Sequence, residues 1–296
     1  MNFLRVKDVI TNRFDMLVSL GRHAVEMRRA MNRYRSTDVF FLGYPKTGNT
    51  WTRVLIGRYC QLLVGLDRLP LFDYYDRLGR CERVKGGPAM HFTHNPLEWT
   101  KQTSADLNFY NVVEPFYRKK VVLIARHPLD SLVSSWHQAI HRSMEYQGDL
   151  KSFIEHPVWG LEKFIRFYNL WAEQRVNVPE IALLRYEDLR RDAFGRLKAV
   201  IEFLGMEIEE ELVCKAVEFS SFESMRKMEE KGVPLRYKSS GLDIFATGDK
   251  KNPNAFHVRK GDIGGYRKLL EPEAITKFEK QIIQELDGWY GYGHSA

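Results

Sequence analysis

Cysteine is scarce in this chain, and long apolar runs are missing. Three cysteines in 296 residues, Cys60, Cys81 and Cys214, stand far apart with no C-x-x-C pair and no His-Cys cluster. That spacing argues against both a disulfide framework and a zinc site, so no metal is expected and a reducing compartment is. No stretch reaches the about 18 consecutive apolar residues of a membrane span. The N-terminus also lacks the apolar core and small-residue cleavage site of a signal peptide. Together these absences predict a cytoplasmic protein.

What is present suffices for a sizeable core. A content of 44% hydrophobic and 13% aromatic residues fits one large α/β domain as easily as two small ones, and a single domain is expected. The net charge of +7 favours anionic partners, but it is spread unevenly. Residues 1–35 hold eight Arg or Lys against three acids, and therefore five of the seven net positive charges. Phe3, Val6, Ile10, Phe14, Leu17, Ala24, Met27 and Met31 recur there at helical spacing, opposite an arginine-rich face. This reads as a basic amphipathic helix or helix pair. It either packs on the domain with a solvated basic face or docks peripherally on an anionic membrane surface or acidic partner. Charge gathered in one terminal segment, rather than along a groove, argues against a nucleic-acid partner. The domain proper is expected over residues 36–296.

From residue 39 the pattern becomes strand, loop and helix: an apolar run at 39–42, a glycine loop, then helical spacing from Thr50 through Val64. A second strand at 121–125 leads through RHPLD into a helix reaching about Ile140. A third at 181–184 leads through RYEDL into a helix ending near Gly205. Alternating strands and helices predict a central parallel sheet flanked by helices on both faces, with ligands at the carboxyl ends of the strands. Between about 229 and 258 the pattern dissolves into Gly, Pro, Lys, Ser and Asn, as expected of a lid-like loop.

The first loop, GYPKTGNTW at 43–51, nearly spells the phosphate-binding G-x-x-x-x-G-K-[ST], but Asn49 replaces the lysine and Lys46 lies three residues earlier. A loop between a buried strand and a helix start aims backbone N–H groups and the positive end of the helix dipole at one point, which suits a phosphate. A triphosphatase would also need Mg²⁺ held by an acid at a neighbouring strand end. Here that strand ends in Arg126, which repels a metal and grips a phosphate, and Ser134 follows eight residues on. VRKGDIGGYR at 258–267 adds two basic residues and close-approach glycines. These features predict an anionic nucleotide held at two phosphates without a metal.

In this order the three stretches resemble the sulfotransferases that use 3′-phosphoadenosine 5′-phosphosulfate (PAPS), of the cytosolic, P-loop-like type. YPKTGNTW is similar to the family's Y-P-K-[ST]-G-[TN]-T-W, RHPLDSLVSS to R-N-P-x-D-x-x-x-S, and RKGDIGGYR to R-K-G-x-x-G-[DG]-[WY]. The resemblance implies the P-loop-like sulfotransferase fold, PAPS as co-substrate and in-line transfer to a hydroxyl with release of adenosine 3′,5′-bisphosphate. It implies Lys46 on the 5′-phosphate and bridging oxygen, with Thr47, Gly48, Asn49 and Thr50 supplying donors beside it. It further implies Arg126, Ser134, Arg259, Lys260 and Gly261 on the 3′-phosphate, and Trp51, Tyr186 and Phe222 around the adenine, with Ser221 next to Phe222. FTHNP at 92–96 resembles K-T-H-x-P, whose histidine is the general base; this implies His94, with His91 in reserve.

Three departures stand out. Phe92 occupies the place of a lysine near the transferred group, His127 replaces the asparagine of R-N-P, and KLLEPEAIT lacks the segment through which many relatives dimerise. Aromatic residues at 71–76, Trp99, Phe109, Tyr110, Trp136 and Tyr146 are candidates for an acceptor site, with a hydroxyl-bearing small molecule, sugar or lipid as acceptor. The alternatives are an ATP-dependent small-molecule kinase and a non-catalytic nucleotide-binding scaffold.

Overall fold

A computed structural model describes residues 32, 34–65, 87–94, 100–232 and 252–292. Nearly all of the basic segment at 1–35, the aromatic run at 71–76, Trp99 and most of the expected lid lie outside the described residues.

Strand β1 (Val39–Gly43) is buried at every position. It pairs in parallel with β2 (Met90–Thr93) on one side and β3 (Lys120–Ala125) on the other, and β4 (Glu180–Arg185) pairs in parallel with β3. The order is β2-β1-β3-β4. Near-continuous apolar runs are what a parallel sheet covered on both faces requires. The connecting helices are α1 (Asn49–Leu63), α2 (Phe109–Val112), α3 (Pro128–His141), α4 (Leu150–Glu155), α5 (Leu161–Gln174), α6 (Tyr186–Arg191), α7 (Ala193–Phe203), α8 (Glu210–Phe219), α9 (Phe222–Glu230) and α10 (Pro272–Glu285).

Alternating side chains send the strands into two cores. Phe40, Leu42, Val121, Leu123 and Ala125 pack with α3, α4, α5 and α10. Phe41, Met90, Phe92, Val122, Ile124 and Leu184 pack on the opposite face with α1, α7 and α8. The expected helix running to Gly205 is two helices. They break at Asp192, whose carboxylate accepts from the Gly195 N–H at 2.8 Å and caps α7.

The connection leaving β1 runs to β2, whereas that leaving β3 runs the other way, to β4. The carboxyl ends of β1 and β3 therefore open a crevice at the point where the winding reverses, the place where α/β sheets bind ligands. Among the described residues, no helix is long and apolar enough to cross a membrane.

Candidate active site

The chain turns from β1 into α1 through residues 44–48. The Thr47 hydroxyl and N–H both donate to Tyr44 O, at 2.8 and 3.3 Å, and close the turn. Gly48 sits at φ +107° as the N-cap of α1, without a side-chain cap, and no acid occupies the first turn. The leading N–H groups and the positive dipole end are thus left for an anion. A Cβ at Gly48 would meet Tyr186 Cδ2 at 2.9 Å, so only glycine allows both the backbone angle and the close packing.

Lys46 also adopts a positive φ, 70°, a strained conformation for a non-glycine residue. That turn sends its side chain into the crevice, where Nζ donates to Gln138 Oε1 at 2.8 Å. Burial lowers its pKa to about 7, and Arg142, Arg126 and Arg259 push the same way against the opposing pull of Glu229.

Arg126, directly after β3, is buried, and its guanidinium carbon lies 4.3 Å from the Tyr186 ring centroid. Nη2 donates to Asp262 O at 3.0 Å, while the buried Nε has no hydrogen-bond partner within the chain. Asp130, on α3, accepts from the Gly264 and Tyr266 N–H groups at 2.7 and 3.3 Å, which ties the 259–267 loop to the helix that follows Arg126. The Tyr186 hydroxyl donates to Gly261 O at 3.1 Å. Gly261, at φ +66°, approaches Phe222 and Tyr186 so closely that a Cβ would lie 3.1 Å from each. Trp51 meets the Tyr186 ring edge-on at 5.5 Å, and its Nε1 donates to Ser220 O at 2.8 Å. His127 stacks on Tyr266 at 5.0 Å, and burial lowers its pKa to about 4, so the replacement for asparagine is a neutral packing residue.

His94 follows β2. Its Nδ1 lies 3.0 Å from Gly43 O. A carbonyl only accepts, so Nδ1 carries the proton and Nε2 is left as the basic nitrogen. Burial lowers the His94 pKa, Lys46 and Arg53 add to the effect, and the bond to Gly43 opposes it. The ring is therefore neutral near pH 7 and able to take a proton. His91, by contrast, packs edge-on against Phe40 at 5.4 Å.

One cavity of about 480 Å³ is lined by Lys46, Gly48, Asn49, Thr50, Trp51, His94, Arg126, Ser134, Tyr186, Phe222, Arg259, Lys260 and Gly261. Two expected residues stand outside that lining. Thr47 is fully buried with both donors spent on Tyr44, and the Ser221 hydroxyl accepts from the Ser224 N–H and caps α9. Asn49 lines the cavity but spends its amide on Thr93 O at 2.9 Å, joining α1 to β2.

Phe92 is buried and stacks on Phe41 with centroids 4.4 Å apart, so the position of the family's lysine is filled by core. The acceptor aromatics also differ from expectation. Phe109, Tyr110, Trp136 and Tyr146 do not line the cavity, whereas Thr100, Gln138, Val158, Trp159 and His257 do. Tyr110 is 77% exposed on the surface, and Tyr146 packs against Phe153. Nothing in the spacing of Gln138 or His257 marked them; only the fold carries the end of α3 and residue 257 to the phosphate loop.

A sulfotransferase domain model matches residues 36–290. The chain is 27% identical to cytosolic sulfotransferase 17 of Arabidopsis thaliana, covering 86% of this chain and 75% of that one. It is 24% identical to an amine sulfotransferase of Oryctolagus cuniculus, over 85% and 81% of the two chains. The crystal structure of mouse sulfotransferase SULT7A1 complexed with PAP is similar in fold, with a TM-score of 0.58, 18% identity and 84% of each chain covered. With Lys46, Arg126 and the stretch Arg259–Gly261 lining the same cavity, the chain belongs to the sulfotransferase domain family and is a sulfotransferase enzyme.

Proposed function

We propose that the protein transfers the sulfuryl group of PAPS to the hydroxyl of a small-molecule acceptor, with His94 as general base. The observation that carries this reading is the bond from His94 Nδ1 to Gly43 O, at the strand end that launches the phosphate loop. It fixes the ring's tautomer and leaves a basic Nε2 in the cavity that Lys46 enters.

The residues present fit the co-substrate. The uncapped start of α1 and Lys46 suit its 5′-phosphosulfate end. Arg126, with an unpartnered Nε, and Ser134, Arg259, Lys260 and Gly261 suit its 3′-phosphate. Trp51, Tyr186 and Phe222 offer faces for the adenine. Val158 and Trp159 give the same cavity an apolar wall for the body of an acceptor.

His94 Nε2 takes the proton of the acceptor hydroxyl as its oxygen bonds to sulfur. Lys46 stabilises the charge that develops on the phosphate oxygen as its bond to sulfur breaks. No covalent enzyme intermediate is needed, because positioning and charge stabilisation suffice for a loose in-line transfer. With Phe92 in the core, that stabilisation falls on Lys46 and the arginines around it. The family match does not favour the kinase alternative. The basic segment at 1–35 is proposed as an appendage to a catalytic domain spanning 36–296; its deletion without loss of binding to anionic liposomes would count against a membrane role.

Calorimetric titration tests the donor site. Adenosine 3′,5′-bisphosphate is expected to bind with or without EDTA, and more tightly than ATP with Mg²⁺. Binding of the metal–ATP complex alone would overturn the reading.

A further inference from the structure

His257 and Val258 line the cavity, and the segment 256–258 is held in place by α9. The Glu229 carboxylate is buried and accepts from the His257 and Val258 N–H groups at 2.6 and 2.8 Å. Arg226 donates to Val258 O at 2.9 Å, and its guanidinium covers the Phe256 ring at 3.7 Å. The backbone around His257 is thus fixed on both flanks, and its imidazole lines the cavity. Its Nε2 lies 3.0 Å from Thr50 Oγ1, 207 residues away in sequence.

We propose that His257 is a positioning residue for the transfer: its ring holds the Thr50 hydroxyl so that the hydroxyl's proton is directed at the anion in the phosphate loop. Thr50 carries one proton, so it donates either to His257 or to the ligand. When His257 carries its proton on Nε2, that N–H donates to Thr50 Oγ1, and the Thr50 O–H is free to donate to a phosphate or sulfuryl oxygen. The opposite tautomer turns the hydroxyl away. The groups facing the ring are Lys46 from the phosphate loop, Arg142 following α3, His94 following β2 and Thr50 from α1. Burial, with Lys46 and Arg142 adding to it, keeps His257 uncharged, so the orientation is set by tautomer rather than by a permanent charge. The inference rests on the reading that Thr50 faces the donor.

The test is a double-mutant cycle on purified full-length protein, using kcat with PAPS and the Kd of adenosine 3′,5′-bisphosphate. The wild-type Kd comes first: if the bisphosphate does not bind, the donor-site reading falls and this inference falls with it. If it binds, His257→Phe is expected to lower kcat by about tenfold, the worth of one hydrogen bond to a charged site. His257→Gln places an N–H donor close to Nε2 and is expected to restore activity to within about threefold of wild type. In a Thr50→Val background, His257→Phe is expected to cost less than about twofold, because the two residues act as one unit. Full additivity with Thr50→Val overturns the proposal, as does His257→Gln performing no better than His257→Phe. If His257→Phe does not fold, the comparison of His257→Gln with His257→Ala decides in the same way.

Discussion

Lys46 provides the sharpest quantitative test of the site's electrostatics. In the free protein, burial and three arginines hold its pKa at about 7. A bound phosphosulfate or phosphate supplies opposite charge and moves that pKa back toward the ordinary lysine value of about 10.4. At pH 8 the free amine is then only about one-tenth protonated, whereas in the complex it is almost fully so. Binding should therefore take up about 0.9 proton at pH 8 and about 0.5 at pH 7. The sign follows from the direction of the change: a pKa raised on binding makes affinity fall as pH rises through 7, by up to about tenfold per unit. The assay is titration with adenosine 3′,5′-bisphosphate in buffers of differing ionisation enthalpy, where the slope of the observed enthalpy gives the protons taken up. At pH 8 the ligand's own phosphates, with second pKa values of about 6, contribute little. Lys46→Arg is the control, because a guanidinium stays protonated throughout. Absence of uptake at pH 8 would refute the reasoning, and so would uptake that persists unchanged in Lys46→Arg.

Gly48→Ala should cost about 1–2 kcal/mol in stability from the left-handed backbone alone. The 2.9 Å approach to the Tyr186 ring should add at least a tenfold loss of bisphosphate affinity, so equal affinity by calorimetry would contradict the cradle. Phe92→Ala should lower stability by about 3 kcal/mol, read from denaturant unfolding, because the ring is buried against Phe41; an unchanged midpoint would remove Phe92 from the core. Tyr186→Phe loses the bond to Gly261 O and should weaken bisphosphate binding a few-fold. Tyr186→Ala, which also uncovers the Arg126 guanidinium, should weaken it further; identical constants for the two would refute the stacking role. The acid limb of the rate profile should lie below the ordinary imidazole value of about 6.5, because burial lowers the His94 pKa; a limb above that value would contradict the environment described for the ring.

The strands at 39–43, 120–125 and 180–185 were legible because each holds a compact apolar run followed by a helix; the first is buried throughout and the second at every position but Lys120, whereas in the third only Leu184 is buried and the run at 181–184 alone marks it. β2 was harder to read. It is four residues long at the sheet edge, and only Met90 and Phe92 are fully buried while His91 and Thr93 are partly exposed. Its sequence reads first as a pair of histidines. Lys46, Gly48, Asn49, Thr50 and Arg126 line one cavity, and they could be picked out in sequence because backbone N–H groups, glycines and arginine carry local signals for anions. Thr47 and Ser221 were expected at the ligand, but a hydroxyl beside an unpaired backbone group closes a turn or caps a helix before it reaches a cavity. Gln138 and His257 left no trace in local sequence: their partners, Lys46 and Thr50, lie 92 and 207 residues away.

The most direct test of the account is steady-state transfer from PAPS by His94→Gln, measured beside its Kd for adenosine 3′,5′-bisphosphate. With His94 as the base, kcat should fall by about 10²–10⁴ while the Kd stays within about twofold, because the side chain serves the acceptor's proton and not the nucleotide. A His94→Gln enzyme with wild-type turnover would contradict that assignment.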